Sequence, residues 1–326
     1  MSQNPDMQAP ADENIPTGEF GLIEWIRRRS ASLPKVRLGI GDDAAEIDLS
    51  ADSGSILVAT DMLIEGRHFT LDSATPRQVG YKAMGVNLSD IAAMAGKPIA
   101  AFVSVALPRS HGIEIARELY LGLEDSAREH QVAIAGGDTN SWHGPLVCSV
   151  TIVGEPTPPR AVTRRGAKPG DHIFVTGPLG GSLRGRHLSP VPRIKEAQSI
   201  HRLMSIHAMI DISDGLTADL GHILEESGGL GAILDADSIP IHADAIFESA
   251  RDGRTSLEHA LGDGEDFELC FTVDPADSKR LRSESIEGFK PIPIGVIRPE
   301  PGIALGSADG SIRDITPKGF DHFQAK

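Results

Sequence analysis

The 326-residue chain offers little from which to build a covalent framework or a membrane anchor. It has two cysteines, Cys148 and Cys270, far apart in sequence. Each sits in a strand-like apolar run, which reads as a buried free thiol and not as part of a disulfide framework. That usage fits a reducing cytoplasm. The longest apolar stretch, residues 99–107, is interrupted by Ser104 and is about half of what a membrane span needs. Positive charge is also short. Lys and Arg total 31 against 46 Asp and Glu, a net charge of −15, which disfavours nonspecific binding to nucleic acid or to an anionic membrane. Several site signatures are missing. Gly96-Lys97 is followed by Pro98 and is no P-loop, Gly39-Ile40-Gly41 lacks the third glycine of a dinucleotide fingerprint, and neither a His-Glu-x-x-His pair nor a cysteine cluster for zinc occurs. Residues 1–16 are polar and acidic, without the basic start and apolar segment of a signal peptide. They are expected to form a disordered tail.

What is present is ordinary for a globular protein: 40% hydrophobic and 24% charged residues. The length suggests about two domains. Apolar periodicity predicts helices over residues 18–29 and 113–130, Pro76 opens one over 76–95, and Gly228-Gly229 ends one over 216–227. Strands are predicted over 56–60, 99–107, 132–135, 146–153, 172–176, 208–212, 231–234 and 292–297. Residues 267–273 alternate as a half-buried strand would. The run Gly154-Glu155-Pro156-Thr157-Pro158-Pro159 is the strongest linker signal. It divides the chain into a domain over 17–154 and a second over 155–326, both mixing helix and strand, so the class is α/β or α+β.

One pattern recurs. Short apolar or glycine-containing runs end in aspartate at Asp42-Asp43, Asp61, Asp90, Asp138, and Asp211 with Asp214. Ligand sites in such folds lie just beyond strand ends. Carboxylates gathered there form a hard oxygen site suited to Mg²⁺. Taken singly, each aspartate is also an ordinary turn or cap residue. Asp214, before Gly215 and a helix, is a good N-cap candidate, whereas Asp90 falls inside a helix on the face of Ala83 and Val86. The glycine-rich stretch Gly177-Pro178-Leu179-Gly180-Gly181 follows a strand and reads most simply as a loop. His187, His201 and His222 are expected at the surface.

Several segments, in order, resemble the thiamine-monophosphate kinases of the aminoimidazole-ribonucleotide-synthetase-like superfamily. They include Gly39-Ile40-Gly41-Asp42-Asp43-Ala44, Thr60-Asp61-Met62-Leu63 with Glu65-Gly66-Arg67-His68-Phe69, and Tyr81-Lys82-Ala83 with Val86-Asn87-Leu88-Ser89-Asp90. Further on come Gly136-Gly137-Asp138-Thr139, Thr163-Arg164-Arg165-Gly166, Ile210-Asp211-Ile212-Ser213-Asp214-Gly215, Gly264-Glu265-Asp266-Phe267 and the closing Gly319-Phe320-Asp321-His322-Phe323. The resemblance implies an N-terminal sheet domain that pairs in a homodimer, a C-terminal α/β domain, and ATP bound between them. It implies direct phosphoryl transfer from ATP to thiamine monophosphate with several Mg²⁺ ions. By position, Asp43, Thr60, Asp61, Asp90, Asp138, Asp211 and Asp214 would be metal ligands. Tyr120, Gly137, Asp138, Arg164 and Ser213 would contact ATP, and His68, Glu265 and Phe320 the thiamine side. Read from the residues alone, Arg164 is equally a solvated loop arginine, Glu265 a strand-edge charge, His68 a loop histidine and Phe320 a core aromatic.

The chain departs from the family wording at Ala59, at Asn140-Ser141-Trp142-His143, at Gly262-Asp263-Gly264 and in a short 180–210 segment, none of which removes a proposed aspartate. Another ATP-using enzyme of the superfamily is the nearest alternative. A selenophosphate synthetase would want a cysteine before Cys148, and a hydrogenase-maturation protein a C-terminal cysteine where this chain ends Phe323-Gln324-Ala325-Lys326. A non-catalytic nucleotide or Mg²⁺-binding regulator would be expected to have lost several of the aspartates.

Overall fold

The computed structural model describes residues 21, 23, 24, 27, 35–50 and 54–316. The predicted tail and Phe320 lie outside the described residues. Of the first predicted helix, Gly21, Ile23, Glu24 and Arg27 are described, and these four are helical.

Two sheets organise a mixed α/β molecule. The first contains β1 (Val36–Leu38), β2 (Ala45–Ser50), β3 (Gly54–Ile64), β4 (Gly96–Pro108), β5 (Ala133–Trp142) and β6 (Val147–Pro156), in the order β1-β2-β3-β6-β4-β5. Only the β4–β5 pair in it is parallel. Helices α1 (Pro76–Ala93) and α2 (Gly112–Glu129) connect its strands. The second sheet contains β7 (His172–Val175), β8 (Ile206–Asp211), β9 (Gly231–Asp235), β10 (Leu269–Val273), β11 (Ile292–Arg298), β12 (Gly302–Gly306) and β13 (Ile312–Ile315), in the order β13-β12-β9-β11-β7-β10-β8. With it come α3 (Ile194–Leu203), α4 (Leu216–Glu226), α5 (Ala243–Asp252), α6 (Ser256–Gly262) and α7 (Pro275–Ser283).

Helix α1 is the centre of the molecule. Thr75 caps it reciprocally with Gln78, and Pro76 fills a first-turn position where no N–H is needed. Thirteen of its eighteen residues are buried, because the first sheet covers one side and elements of the second half cover the other. Gly80 of α1 and Gly122 of α2 meet where the two helices cross. A Cβ on Gly80 would lie 2.0 Å from the Leu119 carbonyl oxygen.

Three strand expectations need correction. Asp61 and Asp138 lie inside β3 and β5, not at strand ends, because ladder pairing carries both strands past the aspartates. Asp211 does end its strand. The 267–273 segment is not a half-buried strand: β10 begins at Leu269 and is buried throughout, since it lies between β7 and β8 with both faces covered.

Candidate active site

Three carboxylates from three distant segments converge. Asp43 precedes β2, Asp90 lies on α1 and Asp211 ends β8. One carboxylate oxygen of each lies within 4.8 Å of the others. Asp43 and Asp211 are buried. Arg164 bridges from the second half, with its Nη2 donating to Asp43 Oδ1 at 2.8 Å and its Nε to Oδ2 at 3.2 Å. Its backbone N–H donates to Asp42, 3.1 Å from Oδ2. Ser89, one residue before Asp90, donates to Asp211 Oδ2 at 2.6 Å. Asn87 accepts the Asp61 N–H at 3.0 Å, which ties β3 to the same helix.

The charges are crowded. Burial, and then Asp43, push Asp211 up to about 8. The same two causes push Asp42 up to about 7 and raise Asp61. Asp90 is held well above the ordinary carboxylate range by burial and by Asp61, Asp211 and Asp43. Burial opposes the charge of Arg164, but the Asp43 ion pair outweighs it and raises its pKa. One guanidinium among so many carboxylates leaves an excess of negative charge that bound cations would relieve.

The loop after β8 carries Ser213 and Asp214. Asp214 is not the N-cap of α4; Gly215 is. The cap comes from inside the helix. Asp219 Oδ2 accepts the N–H groups of Ser213, Asp214 and Gly215 at 3.1, 3.1 and 3.0 Å. A carboxylate in the first turn satisfies those donors and complements the helix dipole.

A second group lies about two turns earlier on α1, around Lys82. Lys82 has no exposed surface. Its Nζ donates to both Glu265 oxygens, at 2.8 and 2.7 Å, and to the His68 carbonyl at 2.9 Å. His68 Nδ1 accepts the Ile64 N–H at 3.0 Å. Glu265 is not on a strand edge. It and Phe267 take positive φ values of 61° and 52°, a strained conformation for side-chain-bearing residues. The strain is held by Glu265 N–H to Ser213 O at 2.6 Å and Phe267 N–H to Ile212 O at 2.8 Å. Between them, Asp266 accepts the Gly180 N–H at 3.0 and 2.9 Å and pairs with Arg186 at 2.8 Å. The glycine-rich loop is thus held by the chain's own carboxylate.

The remaining predicted residues stand apart. Tyr120, Gly137 and Asp138 line a cleft of about 420 Å³ between α2 and the β4–β5 edge, walled by Val103, Val105 and Leu119. Strand β5 is three strands from β3, about 14 Å at ordinary strand spacing. The register puts the Thr60 and Asp138 side chains on the sheet face away from Asp61. The Thr60 hydroxyl donates to the Val150 carbonyl at 3.1 Å, and Asn140 donates to Asp138 at 2.7 Å.

Lys82, Asn87, Ser89 and Asp219 were not singled out from sequence. Their signal was available: polar residues on helix positions that the apolar pattern would bury. None of the three expected surface histidines is exposed. His201 bonds the Arg160 carbonyl at 2.9 Å, and burial with nearby Arg164 pushes His222 down to about 4. Both cysteines are buried free thiols.

Residues 41–155 match the family described as AIR synthase related protein, N-terminal domain. The thiamine-monophosphate kinase of Rhodopirellula baltica is 41% identical over 311 residues, 93% of this chain and 97% of that protein. That of Salmonella typhimurium is 36% identical over 342 residues, 94% and 98% of the two chains. A solved structure described as AaThiL complexed with AMPPCP and TMP is 32% identical with a TM-score of 0.80, covering 94% of this chain and 97% of the other. With full-length kinase relatives at this identity, and the family's ordered motifs meeting around Asp43, Asp90 and Asp211, the chain belongs to the thiamine-monophosphate kinase family.

Proposed function

We infer that this chain transfers the terminal phosphoryl group of ATP to thiamine monophosphate, giving thiamine diphosphate and ADP, at a magnesium site. The observation that carries the reading is the convergence of Asp43, Asp90 and Asp211 within 4.8 Å, in a family whose relatives bear the kinase name. The donor set fits the metal: hard carboxylate oxygens, several of them, with negative charge in excess. Asp43, Asp90 and Asp211 would hold Mg²⁺, with Asp61 beside them and Asp214 as a further ligand; Thr60 and Asp138, on the other sheet face, would ligate a metal only at a separate position, on the face that pairs in a dimer. Held by these carboxylates, Mg²⁺ would supply positive charge to neutralise the phosphate oxygens, as in other phosphoryl transfers.

The chain's own residues do the rest. The nucleophile would be a phosphate monoester whose second pKa is about 6. It is already largely dianionic at neutral pH and needs no strong base. Arg164 offers a planar fork to a phosphate oxygen, and Ser213 lies on the loop that Asp219 holds rigid. Tyr120 and Gly137 line a cleft whose apolar walls suit a purine ring. His68, Glu265 and Phe320 take the thiamine side. Purified protein with ATP, Mg²⁺ and thiamine monophosphate should yield thiamine diphosphate and ADP in equal amounts, and EDTA should stop both. Nucleotide binding without product would move the acceptor elsewhere.

We further read residues 17–154 as a dimerising domain, 155–326 as its α/β companion, and the cytoplasm as their setting. The open face of the first sheet exposes Met62, Ile64, Phe102 and Trp142 in the single chain, an apolar surface suited to sheet-on-sheet pairing with a second copy. That pairing would also enclose Thr60 and Asp138, whose side chains lie on that face. Light scattering should give twice the 34.6 kDa chain mass; the single mass overturns the dimer. Buried free thiols support the cytoplasmic setting, and among the described residues no helix is long and apolar enough to cross a membrane.

A further inference from the structure

We propose that Lys82 is the positioning residue of the thiamine-side pocket, setting the placement of the Glu265 carboxylate and of His68 from a site that substrate never reaches. This rests on the reading of His68 and Glu265 as substrate contacts. Lys82 has three N–H donors, and the structure accounts for all three: two go to Glu265 and one to the His68 carbonyl. No donor remains for a ligand, and the side chain has no exposed surface. Lys82 therefore acts through its partners.

The partners come from opposite parts of the chain. His68 follows β3 of the first sheet, and Glu265 precedes β10 of the second. Lys82, on α1, is the charged group shared by both. The Glu265 side chain keeps 21% of its surface exposed, so it can meet Lys82 and still present an edge to a ligand. Its backbone is held in a strained conformation by Ser213, which leaves the side chain few alternative directions. His68 accepts the Ile64 N–H at Nδ1, which in the neutral ring puts the proton on Nε2. The Lys82 ammonium thus ties the Glu265 carboxylate to the backbone of His68, whose ring carries a hydrogen-bond donor. That pair suits a flat heteroaromatic ring bearing an exocyclic amine, the chemical class of the pyrimidine half of thiamine. Burial lowers the pKa of Lys82 while Glu265 raises it. Losing Lys82 also removes the two hydrogen bonds that hold the Glu265 carboxylate in place.

The test is a double-mutant cycle on Lys82→Met and Glu265→Gln, read as separate KM values for thiamine monophosphate and ATP, kcat, and melting temperature. Glu265→Gln should raise KM for thiamine monophosphate by about tenfold or more, as expected for losing a charged hydrogen bond, with KM for ATP little changed. Lys82→Met should raise the same KM by a similar factor and lower the melting temperature, because it leaves a half-buried carboxylate without its cation. The double variant removes both charges and should recover melting temperature without recovering KM, and its KM should be no worse than that of Glu265→Gln alone. It also keeps the test alive where Lys82→Met alone fails to fold. Equal multiplication of the two KM effects in the double variant overturns the proposal, and so does a double variant whose KM returns to the wild-type value. If Glu265→Gln leaves KM unchanged, the reading of Glu265 as a substrate contact falls first, and the proposal with it. If Glu265→Gln raises KM and Lys82→Met does not, the functional reading stands and Lys82 is a structural lysine only.

Discussion

Asp211→Asn is expected to stabilise the metal-free protein and to abolish turnover. Asp211 is buried beside Asp43, and its pKa is raised to about 8, against about 3.9 for an unfolded aspartate. The native state therefore holds a proton that the unfolded state has released across that interval. Stability is full below about pH 4 and is lost as pH rises toward about 8. Asp42, raised to about 7, acts in the same direction. Asparagine carries no charge and can still accept the Ser89 hydroxyl, so the variant should hold its melting temperature where wild type loses it. The difference near pH 8 should be on the order of 3 kcal/mol. The same change removes a carboxylate that the magnesium site needs, and kcat should fall by roughly a thousandfold or more. Melting curves in EDTA from pH 5 to 8.5, repeated with Mg²⁺, check both halves. Mg²⁺ should raise the wild-type melting temperature at pH 8 and the variant's much less. Asp43→Asn should lose turnover similarly. Near-full activity in either variant removes that residue from the metal set.

Gly122→Ala should be among the most destabilising single changes, although alanine is the better helix former by about 1 kcal/mol. A Cβ at Gly122 would lie 1.8 Å from the Arg77 carbonyl oxygen and 2.8 Å from the Tyr81 nitrogen. Both obstacles are backbone, so no side chain can swing aside and α1 and α2 must separate. The cost should be roughly 3 kcal/mol or more. Activity should fall as well, because α1 carries Lys82, Asn87, Ser89 and Asp90. Gly221, inside α4 with nothing within 4 Å of a built Cβ, is the control. Gly221→Ala should stabilise by about 0.5–1 kcal/mol. Urea midpoints of the two variants should move in opposite directions; a shared direction would mean that the helix crossing is looser than its geometry.

Much of this molecule was legible in its residues. Helix α2 is marked by apolar periodicity, since a buried stripe repeats with the turn of the helix, and α1 by Pro76 at its start. The ordered motifs carried the family. The inward aim of Asp90 followed from its place on the helical face shared with Ala83 and Val86. The extent of the strands was less legible. Asp61 and Asp138 look like strand ends because glycine and polar residues cluster there, yet ladder partners in β6 and β4 extend both strands past them.

Sequence by itself determined which residue types were available: an excess of carboxylates, no P-loop, few cysteines, and periodic helices to carry the polar groups. Only the tertiary structure decided which of them meet. It brought Asp43, Asp90 and Asp211 together, set Arg164 against Asp43, and put Thr60 and Asp138 on the opposite sheet face. It also made Lys82 the link between His68 and Glu265. Several of these contacts join positions more than a hundred residues apart, and no local period encodes them. They are fixed by the packing of α1 between the first sheet and the second half of the chain, where its buried polar side chains Lys82, Asn87 and Ser89 find partners.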